Sequence, residues 1–140
     1  MANPDLKRDA LLKSKLVPGV VARRQRRAAD AQALADAYAD VDFRDCGYCW
    51  VTGRYTQSVA VDARVRREHH HLVQRSLSQA LRADPSNIIT VCAEAHALIT
   101  AGWIAVEGED ARMPLRFHWT ELAKGKRPFE LRSRRQSQEL

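Results

Sequence analysis

Three consecutive histidines, His69-His70-His71, constrain this chain more than any other feature. After them come Leu72-Val73, a polar stretch SLSQALRADPSN, the β-branched run Ile88–Val91, and an alanine-rich segment 93–101 that stops at Gly102. Neighbouring side chains on a strand point to opposite faces. His70 and His71 therefore cannot aim at one point unless the strand bends. A metal ligand beside a base aimed at a neighbouring spot is a natural division of work for such a pair. Taken alone, the triplet fits a fortuitous surface metal binder or partly buried core residues equally well.

The chain has 140 residues, enough for one well-cored domain and not two. Its net charge of +6 points to a polyanionic partner. Nucleic acid and an acidic membrane surface both answer to that charge. No apolar run approaches the roughly 20 residues that cross a bilayer, and the N-terminus lacks the apolar stretch of a signal peptide. The expected location is cytoplasmic, with no membrane partner. There the odd set of three cysteines, Cys46, Cys49 and Cys92, stays reduced and suggests metal more than disulfide.

Along the chain, residues 1–40 form a basic, helical N-terminal region. Within residues 1–27, Lys7, Arg8, Lys13, Lys15, Arg23, Arg24, Arg26 and Arg27 stand against only Asp5 and Asp9. Pro18-Gly19 ends any helix over 5–16, and AADAQALADAYA predicts helix over 28–39, with Leu34 and Tyr38 on its packing face. Cys49-Trp50-Val51 reads as strand or turn. Val59, Val61, Ala63 and Val65 alternate with period two and predict a half-buried strand. Residues 88–91 predict a strand and 93–101 a helix. Trp103–Val106 and Leu115–Trp119 predict a closing hairpin. Residues 41–122 make the central domain, and the basic residues beyond Ala123 make a flexible tail.

Hydrolysing a phosphodiester requires a divalent cation to neutralise charge on the phosphate and a base to deprotonate water. Histidine suits both tasks near neutral pH. The stretch REHHHLVQRS, then DPSN, then IITVCAEAH and ALITAG resembles the HNH endonuclease family, of the small type found in phages and bacteria. The likeness covers about 35 residues strongly, and extends more weakly from Asp45 to Phe117. It implies an α+β fold: a ββα-metal core, two strands and a helix around one cation, with the basic helical region before it and a short β-hairpin after it. It further implies that His70 and His96 ligate the metal, that His71 is the general base, and that Asn87 ties down the inter-strand loop and orients that base. Arg75 is placed to contact a phosphate, and Arg66 and Arg67 join it as nucleic-acid-binding residues. His69 has no counterpart, and Glu68 reads as a surface carboxylate or as one that orients a histidine.

The chain departs from the family in its cysteines. Many members hold a structural zinc between two Cys-x-x-Cys knuckles. Here Cys92 opens the second knuckle, whose partner position is Ala95. The first knuckle reads either as Cys46-x-x-Cys49 or, in the preferred register, as Cys49-Trp50-Val51-Thr52-Gly53. A structural zinc needs four closed ligands, and Cys46, Cys49 and Cys92 supply at most three sulfurs. The expectation is no structural zinc, with Cys49, Trp50, Val51 and Cys92 holding the fold by packing.

The resulting expectation is a metal-dependent endonuclease that hydrolyses duplex DNA by a one-metal mechanism. Mg²⁺ or Mn²⁺ is the expected ion, with Ni²⁺ or Zn²⁺ as imidazole-favoured alternatives. The phage likeness adds DNA-packaging proteins as possible partners. Two rivals stand beside it: a non-catalytic DNA-binding module on the same scaffold, and a metal-storage or metal-sensing protein that uses the triplet.

Overall fold

A computed structural model describes residues 18–132. The fold is mixed α+β, with a long N-terminal helix and two small antiparallel hairpins. Helix α1 spans Pro18–Asp45, strand β1 Arg67–His71, strand β2 Ile88–Cys92 and helix α2 Ala93–Thr100. Strands β3 (Ile104–Glu107) and β4 (Arg116–Trp119) form the second hairpin. The chain divides into two compact units, Met1–Ala33 and Leu34–Leu140. No helix among the described residues is long and apolar enough to cross a membrane.

Within the second unit, the last three turns of α1 bury one stripe: Ala37, Val41 and Asp45, each four residues on from the last. Leu34 and Tyr38 flank it, and the stripe packs on Ile88. Strands β1 and β2 pair in register, His71 opposite Ile88, His70 opposite Ile89 and His69 opposite Thr90. All five residues of β2 are buried. A strand of one small hairpin reaches that state only when both its faces are covered. Ile88 meets the α1 stripe, whereas Ile89, Val91 and Cys92 join Cys49, Trp50, Val51, Ala95, Ile104 and Leu115 in the main core. Gly102 has φ 79°, the left-handed conformation that ends α2 where the sequence places the stop.

Asp45, at the C-terminal end of α1, has no exposed surface. Its carboxylate accepts the Thr90 backbone N–H at 3.0 Å and the Arg44 guanidinium at 2.7 and 3.0 Å. Arg44 also donates to the carbonyl oxygens of Ile88 (2.7 Å) and Pro85 (2.8 Å). Burial pushes the Asp45 carboxyl up, but the Arg44 and Trp50 hydrogen bonds outweigh it and hold it below the usual carboxylate range.

Three expectations are corrected here. Helix α1 is longer than the expected 28–39: it opens at Pro18, because proline tolerates the first helical turn, where its missing N–H has no partner anyway. The helix then runs 28 residues, and its last three turns lie in the second unit. Residues 59–65 form no strand. Val59 and Val61 are fully exposed, and Asp62 caps a 3₁₀ turn over Ala63–Val65. Alternation makes a strand only where a neighbouring strand and a core exist to meet it. Residues 124–132 are not a free tail: Phe129 packs on Trp119 with centroids 5.3 Å apart, and the Arg132 N–H donates to the Val51 carbonyl at 2.8 Å. The helix expected over 5–16 and the tail residues 133–140 lie outside the described residues.

Asp45→Ala is expected to lower the unfolding free energy by about 3 kcal/mol at neutral pH. Because the folded carboxyl is held below its unfolded value of ~3.9, its contribution is complete above that value and is lost as pH falls towards the folded value. Urea unfolding of parent and variant at neutral and acid pH checks both points: the gap between them narrows in acid.

Candidate functional site

The strand carrying the histidines divides them by face. Glu68 and His70 lie on the α2 side of β1, and His69 and His71 on the α1 side, as the two-residue period of a strand requires. On the α2 side, the rings of His70 and His96 stand edge to face with centroids 5.5 Å apart. The His96 Nδ1–H donates to Glu68 Oε2 at 2.7 Å. That bond places the proton on Nδ1 and leaves the Nε2 lone pair of neutral His96 available as a ligand. The Arg66 guanidinium, 2.9 Å from the other Glu68 oxygen, holds the Glu68 carboxyl below the usual carboxylate range against the opposing pull of burial, and His96 adds to it. Burial, reinforced by His96 and His71, pushes the His70 imidazole down to about 4, so it is neutral at physiological pH. An open groove of about 460 Å³ adjoins His96, bordered by Arg66, Glu68, Ala93 and Ala97.

These residues fit a shared divalent ion. An ion ~2.1 Å from one nitrogen of each of two imidazoles puts their centroids roughly 5–5.5 Å apart at ordinary coordination angles. The observed separation falls in that range, both rings can present a lone pair, and Glu68 fixes the tautomer of one. Among the described residues no group of three or more His, Cys, Asp or Glu side chains is arranged around a common point. His70 and His96 would be the two protein donors to such an ion.

On the α1 side, His71 is the last residue of β1. Its Nε2 lies 2.9 Å from the Arg82 carbonyl oxygen. A carbonyl only accepts, so Nε2 carries the proton and neutral His71 holds its lone pair on Nδ1. Burial pushes the His71 imidazole down, and the charges of Arg75 and Arg82 add to that, against the opposing bond to the Arg82 carbonyl. Asn87 is buried beneath this loop. Its amide donates to the carbonyls of Val73 (3.0 Å) and Leu81 (3.1 Å), and its oxygen accepts the Val73 N–H (2.7 Å). It thereby clasps the chain on either side of the loop, two residues beyond His71 and one before Arg82. His69 stacks on Tyr38 at 4.1 Å and donates to Asp42 at 2.7 Å, while the edge of His71 meets the same Tyr38 ring at 6.2 Å.

The structure brings His70 and His96 together and sets His71 with Asn87 beside them, on the opposite face of β1. Arg66 is exposed, paired to Glu68 at the groove. Arg67 is engaged inside the domain, donating to Thr56 Oγ1 and the Thr56 carbonyl at 3.0 Å each and facing Asp42 at 3.6 Å. Those partners leave it a structural role in place of the expected nucleic-acid contact. Arg75 is exposed, near enough to His71 for its charge to be felt. Tyr38, Asp42 and Arg82 escaped the sequence reading. The helical spacing of Leu34 and Tyr38 signalled a packing face, but nothing in it named His69 and His71 as what that face would meet.

Of the cysteines, Cys49 and Cys92 are fully buried and hydrogen-bonded to each other beside Thr52, with buried Ala95 also in this core. This is the register in which Cys49-x-x-Thr52 faces Cys92-x-x-Ala95. The bond to Cys49 and burial hold the Cys92 thiol protonated. Cys46 is exposed and turned to the Phe43 carbonyl. Comparison with protein-family models, with curated proteins and with solved structures finds no match to this chain.

His70 is expected to stay neutral down to about pH 5 in the folded chain, checked by NMR titration of its ring nitrogens. The unfolded chain takes up that proton near pH ~6.5, so stability falls as pH drops from there towards the folded value. A His70 ring titrating at the ordinary value contradicts the burial described.

Proposed function

We propose that this protein is a metal-dependent nuclease of the HNH type, hydrolysing phosphodiester bonds in duplex DNA. The observation that carries the reading is the approach of His70 to His96, 26 positions apart in sequence, with a carboxylate holding the tautomer of one. The order of elements, an antiparallel pair followed directly by a helix, is the order a ββα-metal core requires. The net charge of +6 suits a polyanionic substrate.

His70 and His96 would hold the ion, Mg²⁺ or Mn²⁺ with Ni²⁺ or Zn²⁺ as alternatives. When bound, it supplies neutralisation of charge building on the phosphate and the departing oxygen. Glu68 holds the His96 ring by its Nδ1–H, so that the lone pair of the neutral ring lies at Nε2. His71 accepts the proton of the attacking water at Nδ1, the nitrogen left free by its bond to the Arg82 carbonyl. Asn87 holds that carbonyl in place by binding its neighbour, Leu81. Since His70 and His71 leave β1 on opposite faces, the scissile phosphate must lie across the end of the strand. The phosphate then meets the ligand pair from one side and the water meets His71 from the other. Exposed Arg75 lies on the approach to that end.

A non-catalytic DNA-binding role draws on the same divergence of His70 and His71, and one assay separates the two readings. Wild type is expected to nick supercoiled plasmid with Mg²⁺ or Mn²⁺ and to stop on chelation. His71→Ala is expected to lose at least 100-fold in cleavage, on the order of what a general base contributes, while binding duplex as tightly as wild type. Activity should fall on the acid side, below the ordinary histidine range of ~6.5, because burial lowers the His71 imidazole. Binding without cleavage under every ion in the panel supports the non-catalytic module.

A further inference from the structure

Six arginines of the second unit face a carboxylate. Arg44 meets Asp45, Arg54 Glu94, Arg64 Asp62, Arg66 Glu68, Arg67 Asp42 and Arg112 Asp110. Of the arginines of this unit that face no carboxylate among the described residues, only Arg82 is half-buried, although Asp84 lies two residues away. The Asp84 carboxylate is turned instead to the N–H and hydroxyl of Ser86, at 2.9 and 2.8 Å, where it caps the 3₁₀ turn Pro85–Asn87. Arg82 Nε is shielded from water and has no hydrogen-bond partner among the described residues. A shielded cationic donor without an acceptor is costly, more so than a neutral one. Its backbone is also not free to drift, since its carbonyl receives the His71 Nε2–H at 2.9 Å and the preceding carbonyl is held by Asn87.

We propose that Arg82 binds a phosphate group of the substrate beside His71, the surface end of its half-buried guanidinium receiving from that phosphate the counter-charge that the described residues do not give it. Naming nucleic acid as the source of the phosphate rests on the nuclease reading. The assignment of Arg82 itself rests on its missing counter-ion, its shielded donor and its tether to His71. Exposed Arg75 lies on the same loop, and the charges of both arginines are felt at His71. One residue thus serves twice: its carbonyl orients the base, and its side chain holds a phosphate beside the water from which that base takes a proton. The fork of the guanidinium matches two phosphate oxygens in a way an ammonium does not.

The test is the salt dependence of binding to a short labelled DNA duplex in EDTA, followed by plasmid cleavage with Mn²⁺. Wild type is compared with Arg82→Gln, Arg82→Lys and a control, Arg116→Gln on the exposed face of β4. Circular dichroism establishes that each variant is folded. Loss of one phosphate contact lowers the slope of log K against log salt by about 0.9. Arg82→Gln is expected to show that loss and to raise KM for cleavage more than it lowers kcat. Arg82→Lys should keep the slope, and Arg116→Gln should match wild type. A slope unchanged in Arg82→Gln overturns the assignment, as does a wild type that binds no duplex. A wild type that binds but never cleaves, with the slope still lost in Arg82→Gln, removes the nuclease reading and leaves the phosphate contact standing.

Discussion

A five-residue strand with no exposed residue is the constraint on which the rest of this domain depends. Strand β2 can be buried throughout only because α1 lies on one of its faces and α2 with the main core on the other. The Asp45 carboxylate holds the first of these contacts. A negative charge at a helix C-terminus opposes the helix dipole. Here Arg44 and the Thr90 N–H offset that, and the same guanidinium reaches the Ile88 carbonyl at the start of the strand and the Pro85 carbonyl in the turn before it. The helix end, the strand and the turn before it are thereby held as one piece, and β1 inherits its position by pairing with β2.

The histidines take their separate environments from that sandwich. Because β1 shares its two faces with β2, one pair of side chains is delivered to α2 and the other to α1. His70 consequently loses water and stays neutral beside His96, whereas His69 stacks on Tyr38 and pairs with Asp42. Such a division suits chemistry in which one imidazole donates a lone pair to a cation and its neighbour accepts a proton. Two adjacent imidazoles on the same face would compete for one role. The loop between the strands is correspondingly well held. Buried Asn87 clasps it from within, and the Arg82 carbonyl fixes the tautomer of His71.

Much of this was legible in the residues. The β-branched run at 88–91, the alanine-rich helix stopped at Gly102 and the terminal hairpin stand close to where pattern places them. Each rests on interactions a few residues long, or on one turn that only glycine makes easily. Cys49, Trp50, Val51 and Cys92 also pack together in the core, as expected of residues that hold the fold by packing. Residues 59–65 show the opposite case. Their alternation is as regular as that of a strand, yet Val59 and Val61 meet only solvent because no neighbour offers hydrogen bonds there. Arg67 differs likewise, since nothing local tells a solvent-facing arginine from one enclosed by Thr56 and Asp42.

The sequence by itself determined most of the local elements, the basic character of the chain, and the set of imidazoles and the amide that the proposed chemistry would use. These are properties of residue type and short spacing. Only the tertiary structure decided that the end of α1 would cover β2, that His69 would stack on Tyr38 and pair with Asp42, and that Arg82 would face no carboxylate among the described residues. Those outcomes depend on which faces of distant segments meet, and on competition for carboxylates and core space between residues tens of positions apart. Periodicity records that a face exists; packing alone chooses its partner.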